Sequence, residues 1–363
     1  MTAAPRDEAK TLAAAVKEAA ARGSLRVETA AGEAWVVVPR IRTTGATPFG
    51  PESAGLLSPP VRRAAYSDRT AWLMAELARL AYEPFEERGE AVGPFLEALR
   101  QAGMTFENGV TDPETDTQAF VVTLPDRFVA LVFRGTEKNF TDIRVDLDAR
   151  FLKTPAGKAH RGFMEAFESV EPAIRDILRE TRPDLPLYVA GHSLGGALAS
   201  VAAAALDDEF TIGACYSFGS PRVGDAEWSS AIKAPVYRVV NGADGVPLVP
   251  LSGLARPILE GLPSFPFLGF LRAPINRLKR AGYVGFQHVG DTRFIRTAGE
   301  SAQLATGSAA AFARLRHLAT STLVGLIRLN PAKLSGYYQD HSIARYATLL
   351  RKIAIARQSL GRS

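Results

Sequence analysis

YVAGHSLGGALAS, Tyr188–Ser200, sets one serine between two glycines, after an apolar run and before an alanine-rich one. GHSLG fits the pattern G-x-S-x-G. Small residues on either side of a serine allow a sharp strand-to-helix turn that lifts its hydroxyl clear of the backbone. Five residues of this kind occur by chance, because glycine is common. What raises the signal is its setting: LPLYVAGHS reads as a short buried strand, and LGGALASVAAAALDD as a proline-free helix. The start of that helix would also point backbone N–H groups at any oxyanion formed beside the serine. Ser193 is therefore the candidate nucleophile, and a packing turn is the alternative.

A serine hydroxyl is inert at neutral pH without a base and a group to orient that base. In the order Ser, then Asp or Glu, then His, three histidines follow Ser193: His288, His317 and His341. His317 lies in the basic stretch RLRHLAT. His288 opens the strand-like FQHVGD, and His341 stands in the polar GYYQDHSIARY just before an amphipathic run. Position favours His341, with His288 the alternative. For the carboxylate, Asp244 stands at the tip of the turn in VVNGADGVPLVP. Asp225 in SPRVGDAEW is its rival, and would otherwise cap a helix beginning at Ala226.

Working outward, TQAFVVTLP and RFVALVFRG read as strands joined by a Pro-Asp turn, with FTIGACYSFGSP and APVYRVVNGAD as two more. RGFMEAFESVEPAIRDILRET has helical spacing, and so does DRTAWLMAELARLAYEPF, beginning at Ser67 or Asp68. Strands alternating with helices imply a mostly parallel central sheet with helices on both faces, an α/β architecture with its active-site loops at the carboxyl ends of the strands. Residues 1–60 read as an N-terminal extension in which SLRVET and EAWVVVPRI could pair as strands. Residues 61–363 read as the α/β domain. Residues 252–335, broken by prolines and basic-amphipathic runs, read as a helical or irregular insertion before the catalytic histidine.

Charge is unevenly spread. Residues 252–363 hold 16 Lys and Arg against 4 Asp and Glu, while the preceding 251 residues hold 27 against 34. In the basic third these charges mingle with apolar residues, which suits peripheral contact with an anionic membrane surface better than nucleic acid. The first 24 residues carry charges throughout and lack the apolar centre of a secretory signal. No uncharged apolar stretch reaches 18 residues. The expectation is a cytoplasmic or peripheral-membrane protein. Cys215, alone of its kind, reads as a small core residue, and no metal-ligand spacing or cofactor motif stands out.

LVFRGT, DIRVDL, HRGFMEAF, VAGHSLGGALA, FGSPRVGD, VNGADGVPLVP, FQHVG and DHSIARY occur in this order from Leu131 to Tyr346. Together they resemble the class 3 lipases, a family of fungal triacylglycerol lipases, plant phospholipase A1 enzymes and diacylglycerol lipases. The resemblance implies an α/β-hydrolase fold over residues 61–363 and carboxylic ester hydrolysis without cofactor or metal, with Ser193 the nucleophile, Asp244 the acid and His341 the base. It puts His288 on a structural position and makes Thr136 and Leu194 the donors of the oxyanion hole. The segment after Thr136, with Phe140 and Ile143, corresponds to the lid that governs substrate access. Relatives often carry tryptophan where this chain has Ile143, and the segment is rich in charge, which argues against long-chain triacylglycerol. A phospholipase A1 or a mono- or diacylglycerol lipase at anionic membranes is the alternative activity, and a membrane-associated scaffold without turnover is the alternative of another class.

Overall fold

The computed structural model describes residues 25–29, 32–36, 48–60, 65–87, 89–136, 150–181, 184–242, 244–248, 250–252, 284–298, 301–309 and 339–360. The chain divides into two units, Met1–Ala46 and Thr47–Ser363. In the first, β1 (Leu25–Thr29) and β2 (Gly32–Val36) pair antiparallel, as the sequence suggests.

The second unit begins ahead of the expected boundary at residue 60, because Phe49 and Leu56 are buried in its core and the Phe49 ring meets Trp72 edge-on. Its elements run α1 (Asp68–Leu80), α2 (Gly93–Gln101), β3 (Thr105–Asp112), β4 (Thr117–Leu124), β5 (Phe128–Phe133), the hairpin β6 (Phe151–Thr154) and β7 (Gly157–His160), α3 (Arg161–Glu168), α4 (Glu171–Glu180), β8 (Leu187–His192), α5 (Leu194–Ala205), β9 (Ile212–Phe218), α6 (Ala226–Ala231), β10 (Val236–Asn241), β11 (Leu251–Ser252), β12 (Val284–Phe286), β13 (Asp291–Ala298), β14 (Ser301–Thr306) and α7 (Ile343–Leu360).

Eight strands form one sheet in the order β14-β13-β10-β9-β8-β5-β4-β3. β5, β8, β9, β10 and β13 are mutually parallel, with antiparallel strands at both edges. The reason lies in strand period and length. Successive residues of β5 point to opposite faces. Ala130 and Val132 join Tyr188, Ala190, Tyr216 and Phe218 under α1, α2 and α7, while Val129, Leu131 and Phe133 join Val189 and Cys215 under α3, α4 and α5. Both faces are dry, so these strands are continuously apolar rather than alternating. Burial pushes the Cys215 thiol up to about 12, so it is inert packing.

Two expectations are corrected. RGFMEAFESVEPAIRDILRET is two helices, not one: α3 ends at Glu168 and α4 restarts at Glu171, with Pro172 in its first turn, where a missing N–H costs nothing. The expected insertion at 252–335 is not wholly an insertion. Its residues 291–298 form β13, a strand of the central sheet beside β10, because Phe294 and Ile295 are core residues. Residues 253–283 and 310–338, including His317, lie outside the described residues.

The Ser67 side chain caps α1 by accepting from the Thr70 N–H at 3.3 Å. Replacing Ser67 with alanine should lower stability by about 1 kcal/mol, read as a shift of the urea midpoint at unchanged slope.

Candidate active site

β8 ends at His192, Ser193 turns the chain, and α5 begins at Leu194. Ser193 has φ 57° and ψ −127°, a left-handed backbone that a non-glycine residue adopts at a cost of about 1–3 kcal/mol. The turn exists because the flanking glycines let strand and helix approach. A Cβ on Gly191 would lie 2.1 Å from the Gly195 carbonyl oxygen, and one on Gly195 would lie 2.5 Å from that of Phe133. The Ser193 N–H donates to the Phe218 carbonyl at 2.9 Å, tying the turn to the end of β9.

The structure brings the three sequence-derived residues together from three elements. His341 Nε2 lies 3.0 Å from Ser193 Oγ, and His341 Nδ1 lies 2.9 Å and 3.0 Å from the two oxygens of Asp244. An ionised carboxylate only accepts, so Nδ1 carries the proton and Nε2 is left to accept from the serine hydroxyl. Asp244 is fully buried just past β10. Its oxygens also accept from the Val246 N–H at 3.0 Å and from the Tyr346 hydroxyl at 2.6 Å. Tyr346 in turn accepts from the Asn241 N–H at 2.9 Å. Such a buried acid orients the imidazole and offsets the charge it gains on taking a proton.

Thr136 follows β5 on the loop that reaches the serine. A Cβ on its neighbour Gly135 would lie 3.2 Å from Ser193 Cβ, so this backbone passes directly beside Ser193. Leu194 is the first residue of α5, where N–H groups have no partner within the helix. Both are placed where an oxyanion on a carbon bonded to Ser193 could find donors. Phe140 and Ile143 lie outside the described residues.

The rivals have other tasks. Asp225 Oδ1 accepts from the N–H groups of Trp228 at 2.9 Å and Lys158 at 3.1 Å, so it caps α6. His288 Nε2 donates to the Pro247 carbonyl at 2.7 Å, steadying the chain after Asp244. Arg222 donates to the carbonyls of Leu248 and Pro250 on the same loop. Tyr346, Asn241 and Arg222 were not singled out from sequence. Tyr346 closes the motif DHSIARY, and its spacing of one helical turn and a half past His341 was the available signal.

Residues 130–253 match the family model described as Lipase (class 3). This segment belongs to the class 3 lipase family. Relatives of the class 3 lipase segment include the secreted mono- and diacylglycerol lipase 1 of Fusarium solani, 39% identical over 97 residues, 25% of this chain and 29% of that protein. The secreted mono- and diacylglycerol lipase A of Penicillium camembertii is 33% identical over 151 residues, 38% of this chain and 48% of that one. The chain thus spans less than half the length of these relatives. Among solved structures, a lipase from Rhizopus microsporus var. chinensis superposes with a TM-score of 0.50 at 21% identity, covering 69% of this chain and 83% of that one. That likeness is one of fold, and the chain has the α/β-hydrolase fold. The expected cytoplasmic or peripheral-membrane placement is overturned, because relatives from Fusarium solani, Penicillium camembertii and Malassezia globosa are named as secreted lipases. Among the described residues, no helix is long and apolar enough to cross a membrane.

Gly219, with φ 57°, passes under the acid–base pair: a Cβ there would lie 2.5 Å from Asp244 Oδ2 and 3.0 Å from His341 Nδ1. Gly219→Ala should therefore part that pair. The far-downfield proton resonance expected of a His341 Nδ1–H held by a carboxylate should be present in the wild type and lost in the variant.

Proposed function

We propose that this chain hydrolyses carboxylic esters of lipids through Ser193, His341 and Asp244, by way of an acyl-enzyme. Ser193 Oγ bonds to the acyl carbonyl carbon as its proton passes to His341 Nε2. The carbonyl π electrons move onto oxygen, which the N–H groups of Thr136 and Leu194 stabilise. Each such donor is worth about 2.7–4 kcal/mol of barrier. The carbonyl re-forms, the C–O bond to the alcohol breaks, and the alcohol leaves with the proton from His341. Water then gives a proton to His341 as its oxygen attacks the acyl carbon. The acid departs and Ser193 recovers its proton. Throughout, Asp244 holds the Nδ1–H and stabilises the imidazolium.

The observation that carries this reading is the 3.0 Å contact between His341 Nε2 and Ser193 Oγ, on a serine held with a left-handed backbone between strand and helix. The alternative of a scaffold without turnover leaves that strain without a purpose. The names of the relatives support mono- and diacylglycerols as substrates and an extracellular site of action. The charge-rich segment 137–151 favours such partial glycerides over long-chain triacylglycerol. The net positive charge of residues 252–363 supports approach to an anionic lipid–water interface through that third of the chain. The same feature would suit a phospholipase A1.

Ser193→Ala should lower kcat on p-nitrophenyl esters by about 10⁶-fold, and Asp244→Asn by about 10⁴-fold, with circular dichroism unchanged. If the Ser193→Ala protein matched the wild type, the proposed nucleophile would be wrong. On lipid substrates, turnover should be higher for monoacylglycerol than for long-chain triacylglycerol. Binding to vesicles containing phosphatidylglycerol should weaken as salt rises from 50 to 500 mM, by counter-charge screening (a Debye length of about 3 Å at 1 M against about 10 Å at 0.1 M). Equal binding to neutral vesicles would remove the basic third from the reading.

A further inference from the structure

His192 precedes the candidate nucleophile in the chain, is buried, and has a hydrogen-bond partner at each end of its ring. His192 Nε2 lies 2.6 Å from the backbone carbonyl oxygen of His341, and Nδ1 lies 2.7 Å from the Tyr82 hydroxyl. A carbonyl can only accept, so Nε2 bears a proton. Burial first, and then the neighbouring His341 ring, holds His192 well below the ordinary histidine value, so the ring is neutral and carries that one proton. Nδ1 is therefore a bare acceptor, and Tyr82, just beyond the end of α1, donates to it. A carboxylate in place of Tyr82 would draw a second proton onto His192. That would set a cation beside His341, whose ring centre is 4.6 Å away and must itself accept a proton during turnover.

We infer that His192, fixed by Tyr82 as its Nε2–H tautomer, is a positioning residue that sets the His341 imidazole on Ser193 by holding the His341 backbone. The inference rests on the proposed hydrolase reading. Ser193 and His341 are 148 residues apart, and their 3.0 Å contact depends on how the loop bearing His341 is anchored. Two elements of the sheet hold that loop from below: Asn241, at the end of β10, donates from Nδ2 to the Asp340 carbonyl at 3.0 Å, and His192, at the end of β8, donates to the next carbonyl along. Only His192 is bonded directly to the serine. One peptide unit thus carries the nucleophile, while the adjoining side chain carries the backbone of the base. Displacement of either end moves both.

Tyr82 has a second neighbour. A Cβ on Gly135 would lie 2.3 Å from its hydroxyl oxygen, so the hydroxyl is wedged between His192 and the loop that leads to Thr136. One phenol therefore abuts both the strand that bears the serine and the loop that bears the first oxyanion donor.

The test uses the full-length protein. In the wild type labelled with ¹⁵N-histidine, the ring resonances of His192, assigned by their loss in His192→Gln, should report the neutral Nε2–H tautomer at pH 7. The Nδ1–H tautomer, or a charged ring, overturns the inference without any reference to activity. Kinetics on p-nitrophenyl butyrate supply the second arm. Tyr82→Phe removes a single oxygen and should lower kcat about ten-fold, the worth of one hydrogen bond, with KM within two-fold of wild type. His192→Phe should lower kcat about 100-fold, as expected of a misplaced base. His192→Gln, whose amide can still donate to the His341 carbonyl, should recover at least ten-fold over the phenylalanine variant. Equal losses in the Gln and Phe variants, or lowered thermal midpoints with kcat retained, would mean a merely structural role. Absence of turnover in the wild type itself would instead sink the hydrolase reading, and the tautomer measurement would still stand.

Discussion

The left-handed backbone at Ser193 is the constraint on which the rest of the site depends. It is unfavourable by about 1–3 kcal/mol and persists only because its surroundings leave no alternative. Residues with side chains at 191 or 195 would force strand and helix apart and let the turn relax. α5 can press this closely on the sheet because its first turns are Gly195, Gly196 and Ala197, followed by a run of buried alanines. Such a helix has little apolar area to offer the core per residue. Its role is to be thin, and the bulk of the core on that face comes from Phe163, Phe167, Ile174 and Leu178 on α3 and α4.

Around the turn, the site is a set of loop ends at the carboxyl edge of parallel strands, the region where such sheets place their chemistry. Each loop is fixed by hydrogen bonds reaching across from another. Asp244 is held by Tyr346 from α7, and the chain beyond it by Arg222 and His288. The effect is rigidity without a metal ligand or a disulfide among the described residues. The buried acid makes no contact with solvent, so its hydrogen bonds are not diluted by competing water.

Much of this was legible in the sequence because it depends on local pattern. The buried strands β4, β5, β8, β9 and β10 announce themselves as apolar runs, the cap at Ser67 as a serine before a periodic stretch, and the turn at Ser193 as glycines around a serine. Where sequence left Asp225 and Asp244 as rivals, the helix-cap alternative proved to be the role of Asp225. What could not be read is what depends on long-range placement. β3 has few apolar residues because it is a solvated edge, so its sequence TFENGVTD carries no strand signal. β13 lies inside an apparent insertion, where FQHVGDTRFIRT reads as strand-like, but only its pairing with β10 makes it part of the central sheet. Tyr82 and His192 are 110 residues apart, and nothing in either neighbourhood points to the other.

The position of α7 has a consequence for biosynthesis. That helix supplies Tyr346 to the acid, follows immediately on His341, and packs on α1, where Arg357 pairs with the buried Asp68 at 2.9 Å. A chain emerging from the ribosome carries Thr136, Ser193, Leu194 and Asp244 before residues 341 and 346 exist. On the proposed reading it then holds a nucleophile with no base. The site is completed only when the segment around residues 339–360 docks across the oldest helix of the domain. On the proposed reading, a nascent or truncated chain would be chemically silent, and reactivity would coincide with closure of the fold.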